Sequence, residues 1–333
     1  MLKLITAFIF FILPLNFSYL DYAYPIRAFK AQTGRSRFGD CLSIIYTTKY
    51  LSCKYNLPVL FTKFNNYDEL EIQKSIDSQE NNFIYFNNII KINNETEIRH
   101  YNEDTLFIVD VNFSLNKEEM SPQAVHDADN DFKKLIKLTR PIQPACPKLD
   151  KNIIKVALHV RKGGGYDLPL LSKDALDLEN YNPENVIDAD ELAIEHQKKR
   201  FYFSDVRWPF KFPPDSFYLK QILYIYKLLN NKPLHVHIFT DDPNPKCIME
   251  KYKKFINNPN ITFSCRQQDN AHDKNVVDDF FAMSTFDCLI RPVSFYSENI
   301  QRIGNFKIVI FPAHGIWVKN DILIIDEVKT ITK

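Results

Sequence analysis

Hydrophobic positions along the chain fall into two rhythms. Short apolar runs rich in β-branched and aromatic residues predict strands at 57–61, 83–86, 106–111, 153–160, 234–240, 260–263 and 307–311, with a shorter run at 201–203. Between them, apolar residues recur at spacings of three and four. Leu42, Ile45, Tyr46, Tyr50 and Cys53 predict an amphipathic helix, and Phe132, Leu135, Ile136 and Leu138 predict another over 131–138. Further helices are predicted over 188–199, over 215–229 with Ile222, Leu223, Tyr226 and Leu229 on one face, and around Val276, Val277, Phe280, Phe281 and Ser284. Strand and helix in alternation at this spacing predict an α/β fold with parallel, doubly wound sheets. Pro141, Pro144 and Pro147 crowd around Cys146. Such proline density stiffens a chain and stops regular structure, so a domain boundary is placed there, dividing 21–145 from 146–333.

The first residues break the rhythm. Lys3 is followed by an apolar run from Leu4 to Leu15, interrupted by Pro14. A charge followed by a short apolar run fits a signal peptide, and the run is shorter than the ~20 residues of a spanning helix. Residues 1–20 are therefore expected to be a signal peptide or membrane anchor, with a buried first element as the alternative. They give the expected localisation, association with a membrane through the N-terminus, in a compartment the sequence leaves open.

Composition narrows the function. The chain has 333 residues, enough for about two domains on the usual length prior. With 45% hydrophobic residues it can bury a large core, and its net charge of +1 carries no long basic block of the kind nucleic-acid binders show. The six cysteines form no Cys-x-x-Cys pair and stand at no zinc spacing, so they read mostly as small core residues. His235 and His237 share one face of a predicted strand, which suits packing better than a metal, because no carboxylate or cysteine completes a ligand set.

Chemistry concentrates where the glycines are. Three of the seven glycines follow a strand in the run His159-Val160-Arg161-Lys162-Gly163-Gly164-Gly165, and two more stand in Gly34-Arg35-Ser36-Arg37-Phe38-Gly39-Asp40. Glycines let a backbone approach a ligand closely, and Arg161 and Lys162 lie where a strand opens into the crevice in which α/β sheets bind ligands. That pattern suits an anion site, or an ordinary Gly-rich turn. The earlier loop stands at a helix N-terminus, where free amides suit an anion or a sugar, or where Asp40 is simply the cap. Asp241-Asp242 ends another strand and reads either as a ligand contact or as turn chemistry. Ser294 and Ser297 open a late helix, as phosphate donors or as a plain serine cap.

Three of these stretches share a resemblance. His159-Val160-Arg161-Lys162-Gly163 resembles the His-x-Arg-x-Gly-Asp signature of the α-1,2- and α-1,6-fucosyltransferase superfamily, which includes the protein O-fucosyltransferases; Gly164 stands where that pattern has Asp. Arg37-Phe38-Gly39-Asp40 is similar to the Gly-Arg-Phe-Gly-Asn opening of the O-fucosyltransferases, with Asp40 replacing Asn. Ser294-Phe295 is similar to the Ser-Ser-Phe turn, with Val293 at its first serine. The resemblance implies a GT-B fold: two facing Rossmann-like domains with a cleft between them, the acceptor on the side of 21–145 and the nucleotide sugar on the side of 146–333. It implies a glycosyltransferase that moves fucose from GDP-fucose to a glycan hydroxyl with inversion, in the manner of α-1,2-fucosyltransferases, with no cofactor and no metal. A nucleotide-sugar donor and a glycan acceptor are then the expected partners. Arg161 would stabilise the leaving diphosphate and Asp40 would be the carboxylate base. Arg37, Gly39, His159, Lys162, Asp241, Asp242, Ser294, Phe295 and Ser297 would complete the donor site. The alternatives are a non-catalytic nucleotide- or glycan-binding relative, suggested by Gly164, and a transferase of another nucleotide sugar.

Overall fold

The computed structural model describes residues 27–34, 36–80, 86–101, 104–116, 119–146, 148–162, 186–188, 209–266, 270, 274–318 and 322–332. The leader, the glycines at 163–165, the run at 201–203 and all but the last residue of the strand expected at 83–86 lie outside them.

Two sheets carry the chain. The first has four parallel strands in the order β2-β1-β4-β3: β1 (Arg27–Ala31), β2 (Val59–Phe61), β3 (Asn88–Lys91) and β4 (Thr105–Val109). The second is built on β5 (Ile154–Val160), β7 (Leu234–Thr240), β8 (Ile261–Cys265) and β9 (Cys288–Ile290), all parallel. It is extended past β9 by β10 (Ile308–Val318) and β11 (Ile322–Thr332), with β6 (Val186–Asp188) also on β10. Central strands such as β7 are buried at every position, without alternation, because both faces of a parallel sheet are covered.

The second sheet is not purely parallel. β10 pairs with β9 in parallel through Ile310 but antiparallel with β11 and, farther on, with β6. Of the helix expected over 188–199 only Asp188 is described, and it pairs with Ile316 in β6; the rest lies outside the described residues. The helix expected over 131–138 is α3 (Pro122–Leu135), which starts nine residues earlier. Ser121 accepts from the Ala124 amide, Pro122 presets the first turn, and Ala124, Ala128 and Phe132 bury the face. Alanines carry little weight in a hydrophobic pattern, which hid the first two turns. The remaining α-helices among the described residues are α1 (Phe38–Tyr55), α2 (Ile72–Glu80), α4 (Asp215–Leu228), α5 (Pro245–Ile256), α6 (Val276–Ser284) and α7 (Phe295–Ile303). α5 went unpredicted because only Pro245, Ile248 and Tyr252 of its lysine-rich sequence are buried.

One core crosses both halves. It runs from Phe29 and Phe107 of the first sheet through Leu42, Ile45 and Phe132 of α1 and α3, then through Phe280 and Ile300 of α6 and α7. It ends on Ala157, Phe239, Leu289 and Val309 of the second sheet. The opposite face of that sheet packs Val156, Leu158, Ile238 and Ile290 against Tyr218, Ile222 and Tyr252. β5 therefore turns alternate residues to different cores, and His159 shares the face of Ala157.

The seam between the halves is specific. Asn299 donates to the Gly39 carbonyl (3.3 Å) and to Ser43 Oγ (3.0 Å). Arg302 lies over the Tyr46 ring at 3.7 Å, and Arg140 bridges Glu69 (2.6 Å) and Asp278 (2.8 Å). A Cβ on Gly39 would fall 2.8 Å from both Cα and N of Tyr296, so this glycine admits the close approach of α1 to α7. Gly34 has φ +55° but open space around it. Gly39→Ala should cost roughly 1–3 kcal/mol, as overpacking against backbone does. Gly34→Ala should cost less, roughly 1 kcal/mol, for its left-handed backbone alone. Urea unfolding of both variants checks the order.

Candidate functional site

The order of strands decides where a ligand fits. From β5 the chain moves outward to β7 and β8, then returns to the other flank of β5 as β9 and continues to β10. The direction of winding reverses between β5 and β9, and crevices at the carboxyl ends of such a pair are the usual ligand sites of open α/β sheets. In the first sheet the chain passes from β1 to β2 on one flank, crosses to the far edge as β3, and returns inward as β4 beside β1. The carboxyl ends of β1 and β5 share one side of the molecule. Gly39, just after the loop that leaves β1, touches Tyr296 at the start of α7, and the Tyr296 ring lies 5.5 Å from that of His159 near the end of β5.

Register lines up the crevice floor. Leu158 pairs with Ile290, Ile290 with Ile310, and His159 with Phe239. One rung of the sheet is therefore Phe239, His159, Arg291 and Phe311 in order. Arg161 stands one turn of the pleat above His159, beside Asp241.

The cations there differ in their partners. Arg161 has Nε 3.9 Å from Asp241 Oδ2 and lies 5.5 Å from the Phe212 ring centroid. The other Asp241 oxygen accepts from the Lys162 amide at 2.7 Å. Lys162 Nζ does not point to Asp241. It donates to Asp215 Oδ1 at 2.7 Å, and Asp215, only 2% exposed, also accepts from Lys251 (2.8 Å) and the Tyr252 hydroxyl (2.6 Å). Burial would raise the Asp215 carboxyl, but Lys162, Lys251 and Tyr252 outweigh it and hold the group below the usual carboxylate range. Burial, then the charges of Arg161 and Arg291, push His159 down to about 3, so it is neutral at physiological pH. Burial also brings Arg291 down to about 10, and it stays charged.

The other expected residues divide. Arg37 and Asp40 pair with each other at 3.3 Å at the start of α1. Asp40 is not the cap of that helix: Arg37 holds the cap position and Asp40 lies in the first turn. Asp242 makes a turn, its Oδ1 accepting from the Asn244 amide and its carbonyl from Asn270. Ser294 holds the cap position of α7, but its side chain does not cap the helix. Phe295 is half exposed. Ser297 is fully buried and its hydroxyl donates to the carbonyls of Pro292 and Ser294, so it is committed to the turn itself. His235 and His237 bond to Thr262 and Ser264 on β8, which satisfies them as core residues. Among the described residues, no group of three or more His, Cys, Asp or Glu side chains is placed to hold a metal.

Four contributors escaped the sequence reading. Arg291 follows Cys288-Leu289-Ile290 just as Arg161 follows a buried strand, and that repeated pattern could have revealed it. Asp215, behind two prolines at a helix start, carried no signal of its partners. Phe210 and Phe212 lie in a short segment that joins the crevice walls: the Phe210 carbonyl accepts from the Val293 amide, its ring packs on Gly315, and Phe212 backs Arg161.

No family model matches this sequence, and no curated protein does. Among solved structures, the chain is similar to the NodZ α-1,6-fucosyltransferase soaked with GDP-fucose, at 10% identity and a TM-score of 0.43, over 93% of this chain and 99% of that one. The fucosyltransferase NodZ from Bradyrhizobium is similar at 11% identity and a TM-score of 0.43, over the same shares. A mutant of Arabidopsis thaliana FUT1 in complex with GDP is similar at 10% identity and a TM-score of 0.46, over 86% of this chain and 70% of that one. At these values the likeness assigns neither family nor function.

The Asp215 cluster yields a test. Asp215→Asn should destabilise by roughly 3 kcal/mol, the low end for breaking a buried pair, because Lys162 and Lys251 keep 25% and 28% exposure. The depressed carboxyl contributes fully above its unfolded value of about 3.9 and loses its contribution as pH falls through the folded value. The gap between wild type and variant should therefore be widest near neutrality and close below about pH 4. Chemical denaturation across pH measures it.

Proposed function

We propose that the chain is a glycosyltransferase that moves fucose from GDP-fucose to a glycan hydroxyl with inversion, in the manner of the α-1,2-fucosyltransferases. The observation that carries the reading is Arg161 at the switch-point crevice, oriented by Asp241 and Phe212, within the motif that resembles the fucosyltransferase signature. Support also comes from the convergence of the Arg37–Asp40 and Ser294–Phe295 stretches on the same side, through Gly39 and Tyr296.

The chemistry follows from charge. Breaking the glycosidic bond leaves a diphosphate, and a preorganised donor aimed at it stabilises the transition state more than the ground state. A guanidinium binds two phosphate oxygens in a planar fork, whereas an ammonium acts as a point charge. Arg161 fills that role. Lys162, tied to Asp215, anchors the loop that carries it. Asp40, paired with Arg37, is the proposed base for the acceptor hydroxyl. No metal enters this reading. Residues 1–20 are proposed to attach the enzyme to a membrane, with the acceptor side formed by 21–145 and the donor side by 146–333.

Hydrolysis and transfer assays with a panel of nucleotide sugars test the reading. Turnover of GDP-fucose, inhibited by GDP far more than by UDP and unchanged by EDTA, is expected. Preference for another donor would replace fucose in the reading. Arg161→Ala should lower kcat about a hundred- to a thousandfold, and Arg161→Lys should be damaged although it keeps the charge. Wild-type turnover by folded Arg161→Ala would remove the proposed role.

A further inference from the structure

Arg291 stands out among the buried charges. It is 5% exposed, and its partners are Gln301 Oε1 (2.8 Å), the Pro292 carbonyl (3.1 Å) and the face of the Phe311 ring (4.2 Å). None of these is an anion. Buried guanidinium groups are ordinarily matched by a carboxylate, because their desolvation is expensive; an aromatic face and a side-chain amide ease that cost without neutralising the charge. The acid with the most influence on Arg291, Glu298, is itself bonded to Arg302 at 2.6 Å.

A second observation points the same way. His159 and Arg291 each follow the paired residues Leu158 and Ile290, and the Arg291 charge acts on His159; His159 is 8% exposed, and its Nδ1 is buried with no hydrogen-bond partner among the described residues. Ser294, three residues beyond Arg291, leaves the start of the nine-residue helix α7 without a side-chain cap. Among the described residues, a buried cation without an acid, an unsatisfied imidazole nitrogen and an uncapped helix start thus gather between β5 and β9. Water or a neutral ligand would satisfy the nitrogen and the helix start but not the charge.

We infer that Arg291 is a second anion-binding residue, whose guanidinium completes with Arg161 the seat of a diphosphate. The inference deepens the proposed function and rests on it for the identity of the ligand, though not for its charge. Arg161 is already balanced in part by Asp241, so the unmatched positive charge of the crevice comes from Arg291.

The test uses inorganic pyrophosphate and GDP as probes on the full chain, by calorimetric titration, with the melting temperature of each protein recorded without ligand. Arg291→Met removes the buried charge and keeps most of the volume. It should melt no lower than wild type while binding pyrophosphate at least tenfold more weakly, a pairing that a purely structural arginine would not give. Arg291→Lys, which keeps a charge but loses the fork, should also bind more weakly. Pyrophosphate affinity unchanged in Arg291→Lys, with Arg291→Met melting lower or failing to fold, would overturn the inference. So would a wild-type protein that binds no pyrophosphate. The proposed function fails separately: pyrophosphate binding that depends on Arg291, without any preference for GDP over UDP and without donor turnover, keeps the anion site and removes the fucosyltransferase.

Discussion

The close approach of α1 to α7 at Gly39 and Tyr296 is the constraint on which the rest of the structure depends. The second sheet reverses its winding beside β5, and that reversal opens a crevice at the carboxyl ends of its strands. Only a contact without a side chain lets the two helix starts meet, and with them the carboxyl ends of β1 and β5. The tyrosine that closes this contact also faces His159, so the seam between the halves is the wall of the site. The shared core, with Phe38 against Phe280 at 5.4 Å, makes the halves one packed body across the described residues.

Charge is distributed unevenly around that seam. Each of the lysines and arginines that organise the loops has its acid: Lys162 and Lys251 share Asp215, Arg140 joins Glu69 to Asp278, and Arg266 is paired with Asp279. These pairs fix geometry at the cost of reactivity, since a committed cation attracts little else. Arg161 keeps a long contact with one oxygen of Asp241, and Arg291 has no paired acid among the described residues. The positive potential of the crevice is what remains after the structural pairs are accounted for, and it favours a small, highly charged ligand.

Much of this was legible in the residues. β5 and β7 announce themselves as β-branched, mostly apolar runs and α1 by its spacing; α4 does so only in part, because Leu223, expected on its inner face, is exposed while Tyr218, Gln221 and Ile225 are buried beside Ile222. What escaped lay in tertiary pairing. Lys162 looks like a ligand group beside Arg161, yet its side chain turns away because Asp215, fifty-three residues on, is buried beneath it. Ser297 looks like a phosphate donor, but the bend at Pro292 uses its hydroxyl. Gly39 reads as a ligand-approach glycine, while the backbone that approaches it belongs to α7. Local sequence records which groups can donate; only the packing records which of them are already occupied.

The central claim is that this crevice recognises a diphosphate by its charge. Calorimetric titration of the wild-type chain with GDP and with guanosine tests it most directly, because the two differ only in the phosphates. GDP binding that is at least a hundredfold tighter than guanosine, and that weakens as salt is raised, is the predicted result. Equal affinity for the two, or no binding of GDP, would contradict the account.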